Sequence, residues 1–296
     1  MPDSHVAGNI AVDTHSVRLH GPEIDFGPLT GLSGHWIGAN GVNLIAVPNQ
    51  KGGFTLLVAP YMETLTVSKI PATTPNRGLK TIENIPTLQY SMTVSELTDS
   101  LPGALMHVEC GFWELPDPTL NGGFDIFRLA SVPHGNAVEA MGHSSVASGP
   151  PQFDLAASAL PFPSPGSPSL PFGYTDTYIN QKTAPGYTAK HPNQYLLDHL
   201  NKQKAAGLTV VETVTLSVST ANSGGIENIA SLRTNANPTQ VNATFWIETL
   251  KAADGQIFKQ LQYSQTVLIE FPIAGEQAGH TIVWPHVSVN TLSLVT

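Results

Sequence analysis

His286 has the most suggestive setting of any side chain able to do chemistry. It stands beside Trp284 and Pro285 in an alternating segment, 282–292, near the end of the sequence. An imidazole titrates near neutral pH and ligates metals through either ring nitrogen. Facing into a closed barrel, His286 would be a ligand for a metal or haem; facing out, it would leave a container without a reacting group. Strand periodicity puts Trp284, His286, Ser288 and Asn290 on one face and Val283, Val287, Val289 and Thr291 on the other. The polar set fits a lumen if the valines are covered from outside, and a solvated surface if the valines face the core. Pro285 removes a ladder donor, so the strand is expected to be bulged or at an edge there.

A second chemical segment is Met106-His107-Val108-Glu109-Cys110-Gly111-Phe112-Trp113-Glu114. His107, Glu109, Gly111 and Trp113 share one face; Met106, Val108, Cys110 and Phe112 share the other and, being apolar, are expected to be the better buried. The His–Glu spacing suits a metal site, an acid–base pair or a surface hydrogen bond. Cys110, the only cysteine, is expected to be a buried, inert thiol. A third segment, Gly224-Gly225-Ile226-Glu227-Asn228-Ile229 with Arg233-Thr234-Asn235-Ala236-Asn237-Pro238, offers amides and Arg233 to a carboxylate such as a haem propionate or a fatty-acid head group. Turn formation explains the same residues. His134, His143, His191, His199 and His280 show no ligand-like spacing.

The rest of the composition narrows the function classes. The chain has 296 residues, a formal net charge of −9, only 12% charged residues, 26 glycines and 24 prolines, a turn-rich globular balance. Thirteen scattered Lys and Arg supply no stripe for nucleic acid and no polybasic membrane anchor. One cysteine excludes an internal disulfide framework. No secretory leader and no apolar run of bilayer length is visible, so the expectation is a cytoplasmic protein, with the Asn-x-Thr match at Asn242 uninformative. G-x-S-x-G, G-x-G-x-x-G, P-loop, H-E-x-x-H and Cys-His zinc patterns are all missing.

These residues must be positioned by strands. Residues 1–25 read as an irregular leader and 26–296 as one domain. Alternating runs separated by Gly, Pro and Asn predict strands over 35–47, 54–59, 61–70, 82–98, 104–114, 123–131, 135–145, 208–221, 226–234, 240–251, 256–271 and 281–295. Residues 146–206 interrupt them as a Pro/Ser/Gly-rich insertion, ending in a helix with Asn193 as N-cap, Leu196, Leu197 and Leu200 on one face and Gly207 as the stop. Its aromatics (Phe153, Phe162, Phe172, Tyr174, Tyr178, Tyr187, Tyr195) call for burial, as a lid over a pocket or as a homodimer arm. The fold class is all-β: an antiparallel up-and-down barrel of about ten strands, with a two-sheet sandwich as the competing arrangement.

Gly34-His35-Trp36-Ile37-Gly38 resembles the opening strand of calycin barrels, where the tryptophan closes the floor. With Pro48, His107-x-Glu109-x-Gly111-Phe112, the hairpin from Phe127-Arg128-Leu129-Ala130 to Ala137-Val138-Glu139, then Ala243-Thr244-Phe245-Trp246-Ile247-Glu248, Leu261-Gln262-Tyr263 and the His286 strand, the chain resembles the nitrobindin family over about 27–143 and 207–296. The resemblance implies a ten-stranded barrel binding haem b through a histidine of the last strand, at the position of His286, and reacting with nitric oxide, peroxynitrite or peroxide. Peroxynitrite isomerase or peroxidase-like activity would follow. Trp284, His107, Arg233 and Trp36 are the further candidate cofactor contacts. Family members are near half this length, and the 146–206 insertion has no counterpart in them.

Two other functions suit the same residues. An enclosed barrel would serve as a haem-free carrier of a hydrophobic small molecule such as a fatty acid. His107, Glu109 and His286 would make a 2-His-1-carboxylate non-haem metal enzyme if they converge.

Overall fold

The computed structural model describes residues 23–49, 53–97, 103–170, 173–179, 188–273 and 280–295. Its strands are β1 (Gly34–Pro48), β2 (Phe54–Lys69), β3 (Thr74–Arg77), β4 (Ile82–Ile85), β5 (Thr87–Glu96), β6 (Leu105–Glu114), β7 (Ile126–Val132), β8 (Asn136–Ser148), β9 (Phe162–Pro163), β10 (Thr209–Asn228), β11 (Asn237–Lys251), β12 (Ile257–Pro272) and β13 (Thr281–Val295). Helices are α1 (Asp176–Ile179), α2 (Gln194–Ala205) and α3 (Ala230–Asn235). Ten strands pair antiparallel in the order β1-β2-β5-β6-β7-β8-β10-β11-β12-β13, and β13 pairs back onto β1, so the sheet closes into a barrel. Closure runs from His35 opposite Val295 to Leu44 opposite Val287, which overturns the sandwich alternative and leaves the ten described strands of the barrel no long open edge. Of the leader, 1–22 lie outside the described residues, as do Phe172 and Tyr187.

One end of the barrel is solid. Trp36, Leu65, Leu88, Trp113, Leu216 and Leu261 fill it, and a 3-10 turn, Gly27–Leu32, inserts Leu29 and Leu32 as a plug. The Trp36 indole N–H donates to the Leu32 carbonyl at 2.9 Å, so this tryptophan closes the floor. The opposite half is hollow, with Ala130, Val132 and Val138 among the inward residues that leave it unfilled.

Three strand boundaries differ from the sequence expectation. Residues 54–69 form one strand through Pro60, whose missing donor is tolerated because pairing with β5 begins only at Tyr61. Pro86 divides 82–98 into β4, which makes a small hairpin with β3, and β5. The strand expected over 226–234 stops early: β10 runs through from Thr209 to Asn228, and the chain then coils into α3.

Among the described residues, none of the insertion lines the hollow half. Ala159, Ala189, Leu196, Tyr178 and Tyr195 pack on the outer wall with Val42, Leu44, Val287 and Val289, the apolar outer faces of β1 and β13. Phe153 meets Trp246 edge-on at 4.8 Å. Asn193 precedes α2 without a side-chain capping bond; its amide instead donates to the Asp154 carbonyl at 2.8 Å and accepts from Ser264 Oγ at 2.6 Å, tying the excursion to β12.

Candidate functional site

The hollow half is a cavity of about 400 Å³. Its wall is mostly apolar, with Ile45, Val94, Met106, Val241, Val267 and Ile269 among its residues, joined by Leu232 of α3 and by Ala236 just after that helix. His286, Ser288 and Asn43 form a polar patch on one side; His107, Glu109, Arg128 and His134 face into the same space from β6, β7 and the β7–β8 turn. In the strand order β6 lies four places from β13 through β1, β2 and β5, so the two polar groups come from well-separated staves.

His286 points inward because the valines flanking it are taken by the insertion. Its Nε2 lies 2.6 Å from Asn43 Oδ1, which also accepts from Ser288 Oγ at 3.0 Å. Both bonds are satisfied when the amide oxygen accepts, which puts the imidazole proton on Nε2 and leaves the lone pair on Nδ1. Burial, followed by the positive potential of His107 and His134, lowers the His286 pKa to about 4; the ring is neutral at physiological pH.

Across the cavity, an ion pair is buried. Arg128 Nη2 donates to Glu109 Oε1 at 2.6 Å with both side chains buried. Nη1 donates to Gln265 Oε1 at 2.5 Å and Nε to the Tyr90 hydroxyl at 3.3 Å, and Tyr90 donates to Glu109. The guanidinium carbon lies 5.2 Å from the centre of the Phe245 ring. Burial alone would raise the Glu109 pKa, but Arg128, His107 and Tyr90 outweigh it and hold the carboxyl at about 2. His107 Nε2 reaches Glu109 Oε2 at 3.3 Å, and its ring lies 5.4 Å from that of His134, whose pKa burial and His107 lower.

Of the sequence candidates, the structure brings His286 and His107 to this cavity. It does not bring Trp36, Trp284 or Arg233 to its walls. Trp36 belongs to the floor. Trp284 is displaced because pairing of β13 with β1 stops at Val287: beyond it Pro285 offers no donor, the strand is locally an edge without a bulge toward β12, and β9 pairs at Ile282 and Val283 instead. Trp284 wedges into that seam against Phe54 and Tyr178, at 5.5 and 4.9 Å. Arg233 is exposed on α3 and pairs with Glu227.

The faces of β6 are the reverse of the expectation from hydropathy. Glu109 and Trp113 are buried, whereas Cys110 is exposed and Phe112 is 38% exposed. Glu109 turns inward because its partner Arg128 enters from β7, and Trp113 because it packs on Phe245 at 5.2 Å. Among the described residues, no three His, Cys, Asp or Glu side chains converge on a shared metal position, so His107, Glu109 and His286 share a cavity without forming a 2-His-1-carboxylate set. Sequence reasoning missed Asn43, Arg128 and His134. Arg128 left one signal, a lone charge in the apolar run Ile126–Ala130. No helix of the described residues is long and apolar enough to cross a membrane. Compared with family models, curated proteins and solved structures, the chain finds no match.

Proposed function

We propose that this barrel binds a small, largely apolar molecule in its cavity, and that the molecule is haem b held through His286. The observation that carries the proposal is the inward imidazole of the closing strand, neutral and oriented by Asn43 in an otherwise mainly apolar pocket. A histidine ligand commonly donates its second ring N–H to an acceptor that fixes its tautomer; Asn43 Oδ1 is such an acceptor, and Nδ1 is the nitrogen left to ligate. The cavity volume falls within the range of small-molecule sites. When bound, the haem iron would supply the reactivity toward NO, peroxynitrite or peroxide, with axial ligation and pocket polarity as the protein's levers.

Arg128 bears on where a ligand's charge can sit. A fatty-acid carboxylate needs a free cation, and the guanidinium here already bonds Glu109, Gln265 and Tyr90. Inserting a second carboxylate would leave one buried anion without a partner, at a cost of several kcal/mol. Arg128 is therefore a site for neither a fatty-acid head group nor a haem propionate, and a haem at His286 would carry its propionates away from this pair. Native mass spectrometry of protein expressed with a haem precursor tests this reading: the expected species carries one haem per chain. A species carrying a fatty acid or another organic molecule would establish the haem-free carrier instead.

A further inference from the structure

Arg128 is committed to Glu109 and His286 to the proposed ligation, which leaves two chargeable groups of the cavity wall without an assigned part, His107 and His134. Among the described residues that line the cavity, His134 alone is exposed. A side chain that belongs both to the wall and to the surface marks the opening. It stands on the tight turn from β7 to β8, where the Gly135 amide donates to the Val132 carbonyl at 2.9 Å. His107 is its neighbour, with ring centres 5.4 Å apart and its own side chain 27% exposed.

The two imidazoles can take up a proton when an anion arrives. Glu109 is ionised and can only accept, so His107 Nε2, 3.3 Å from Glu109 Oε2, carries the N–H and the neutral ring keeps its lone pair on Nδ1. Burial and His107 lower the His134 pKa, so that ring is neutral at physiological pH. A carboxylate between the rings reverses both conditions: it calls for a second N–H on His107 and favours the charged form of His134. The charge of Glu109 is already matched by Arg128. The other titratable groups lining the cavity are Tyr61 on β2, Tyr263 on β12 and His286 on β13; β5 presents the apolar Val94 opposite His107.

We propose that the opening between His107 and His134 is an anion site that takes the carboxylate of the cavity's ligand, and that this carboxylate is a haem propionate. The identification with haem rests on the function proposed above; the site itself requires an apolar body ending in a carboxylate, which a fatty acid also has. An exposed histidine suits such a group better than the buried Arg128, because a carboxylate at the opening keeps part of its hydration. One proton passes from solvent to the imidazole pair on binding and returns on release, with no other bond changed. The complex then holds about one proton more than the separate partners, so affinity rises as pH falls, by up to about tenfold per pH unit.

Absorbance titrations of the full chain with haemin, and with haemin dimethyl ester, which keeps the iron and lacks the carboxylates, test the site. Wild type is expected to bind haemin more tightly at about pH 6 than at about pH 8, across the range in which imidazoles titrate, and to bind the ester without that preference. His134→Ala is expected to weaken haemin roughly tenfold or more, the worth of a hydrogen bond to a charged group. Its affinity for the ester should be unchanged, which shows the cavity intact. Haemin binding that is level or weaker toward low pH, or an equal loss for haemin and ester in His134→Ala, overturns the anion site while leaving ligation by His286 in place. Laurate held with the same His134 dependence, by a protein that takes up neither haemin nor its ester, overturns the assignment to haem. Binding of none of the three overturns both.

Discussion

Arg128 and Glu109 illustrate how one buried pair organises the chemistry of its surroundings. Two charges taken out of water are tolerable only together, since removing either leaves the other desolvated and alone. Arg128→Met is expected to destabilise the protein by about 3–5 kcal/mol, measured by urea unfolding. The double variant Glu109→Gln/Arg128→Met should lose less than the sum of its parts, the sign of direct coupling. A single variant within about 0.5 kcal/mol of wild type, as for an ordinary surface change, would contradict the account. The strand alternation already grouped His107, Glu109 and Trp113 on one face. Which way that face turned was not legible, because the deciding partners, Arg128 and Phe245, belong to other strands.

Elements, rather than single side chains, determine what reaches the cavity. The register of β1 shifts between Gly38 and Gly41, and a Cβ at Gly41 would stand 2.3 Å from the Tyr61 ring. The glycine lets that ring lie across β1, so Gly41→Ala is expected to cost about 1–3 kcal/mol, as overpacking does, and to disturb the 2.7 Å hydrogen bond between the Tyr61 and Tyr263 hydroxyls. Thermal unfolding with near-ultraviolet circular dichroism reads both effects; a variant with unchanged melting and tyrosine signal would contradict them. Strand periods made most of the barrel legible, including the face shared by His286, Ser288 and Asn290. They failed at 230–235, where α3 forms within a segment of residues that serve turns and helices equally, and at Trp284, whose displacement depends on β9 arriving from the insertion.

At the scale of the whole molecule, the buried carboxyls give stability a predictable pH dependence. Burial lifts Glu63 to about 7 and Glu248 to about 8 from the 4.5 of an exposed carboxyl. The folded state therefore holds protons that the unfolded chain releases above pH 4.5. Stability from these groups declines as pH rises toward 8, at about 1.4 kcal/mol per pH unit for each proton held. His286 has the opposite sign: with its pKa lowered from 6.5 to about 4, the unfolded chain binds the extra proton, and stability rises with pH across that interval and is level above it. The contributions oppose each other between pH 4.5 and 6.5, and a net decline is expected from 6.5 to 8. Melting temperature against pH should show that decline in wild type and a shallower one in Glu248→Gln; a level or rising wild-type curve would contradict it.

Closure itself, ten strands with β13 returning to β1, is what turns His286 from a strand residue into a cavity residue. The insertion supports this from outside by covering Val287 and Val289. Absorbance titration of the purified protein with haemin, for wild type and His286→Ala, is the most direct test of the proposed function. Wild type is expected to give a sharpened Soret band saturating at about one haemin per chain, as one axial histidine requires, and His286→Ala to lose it. The same Soret band in both proteins would contradict ligation by His286.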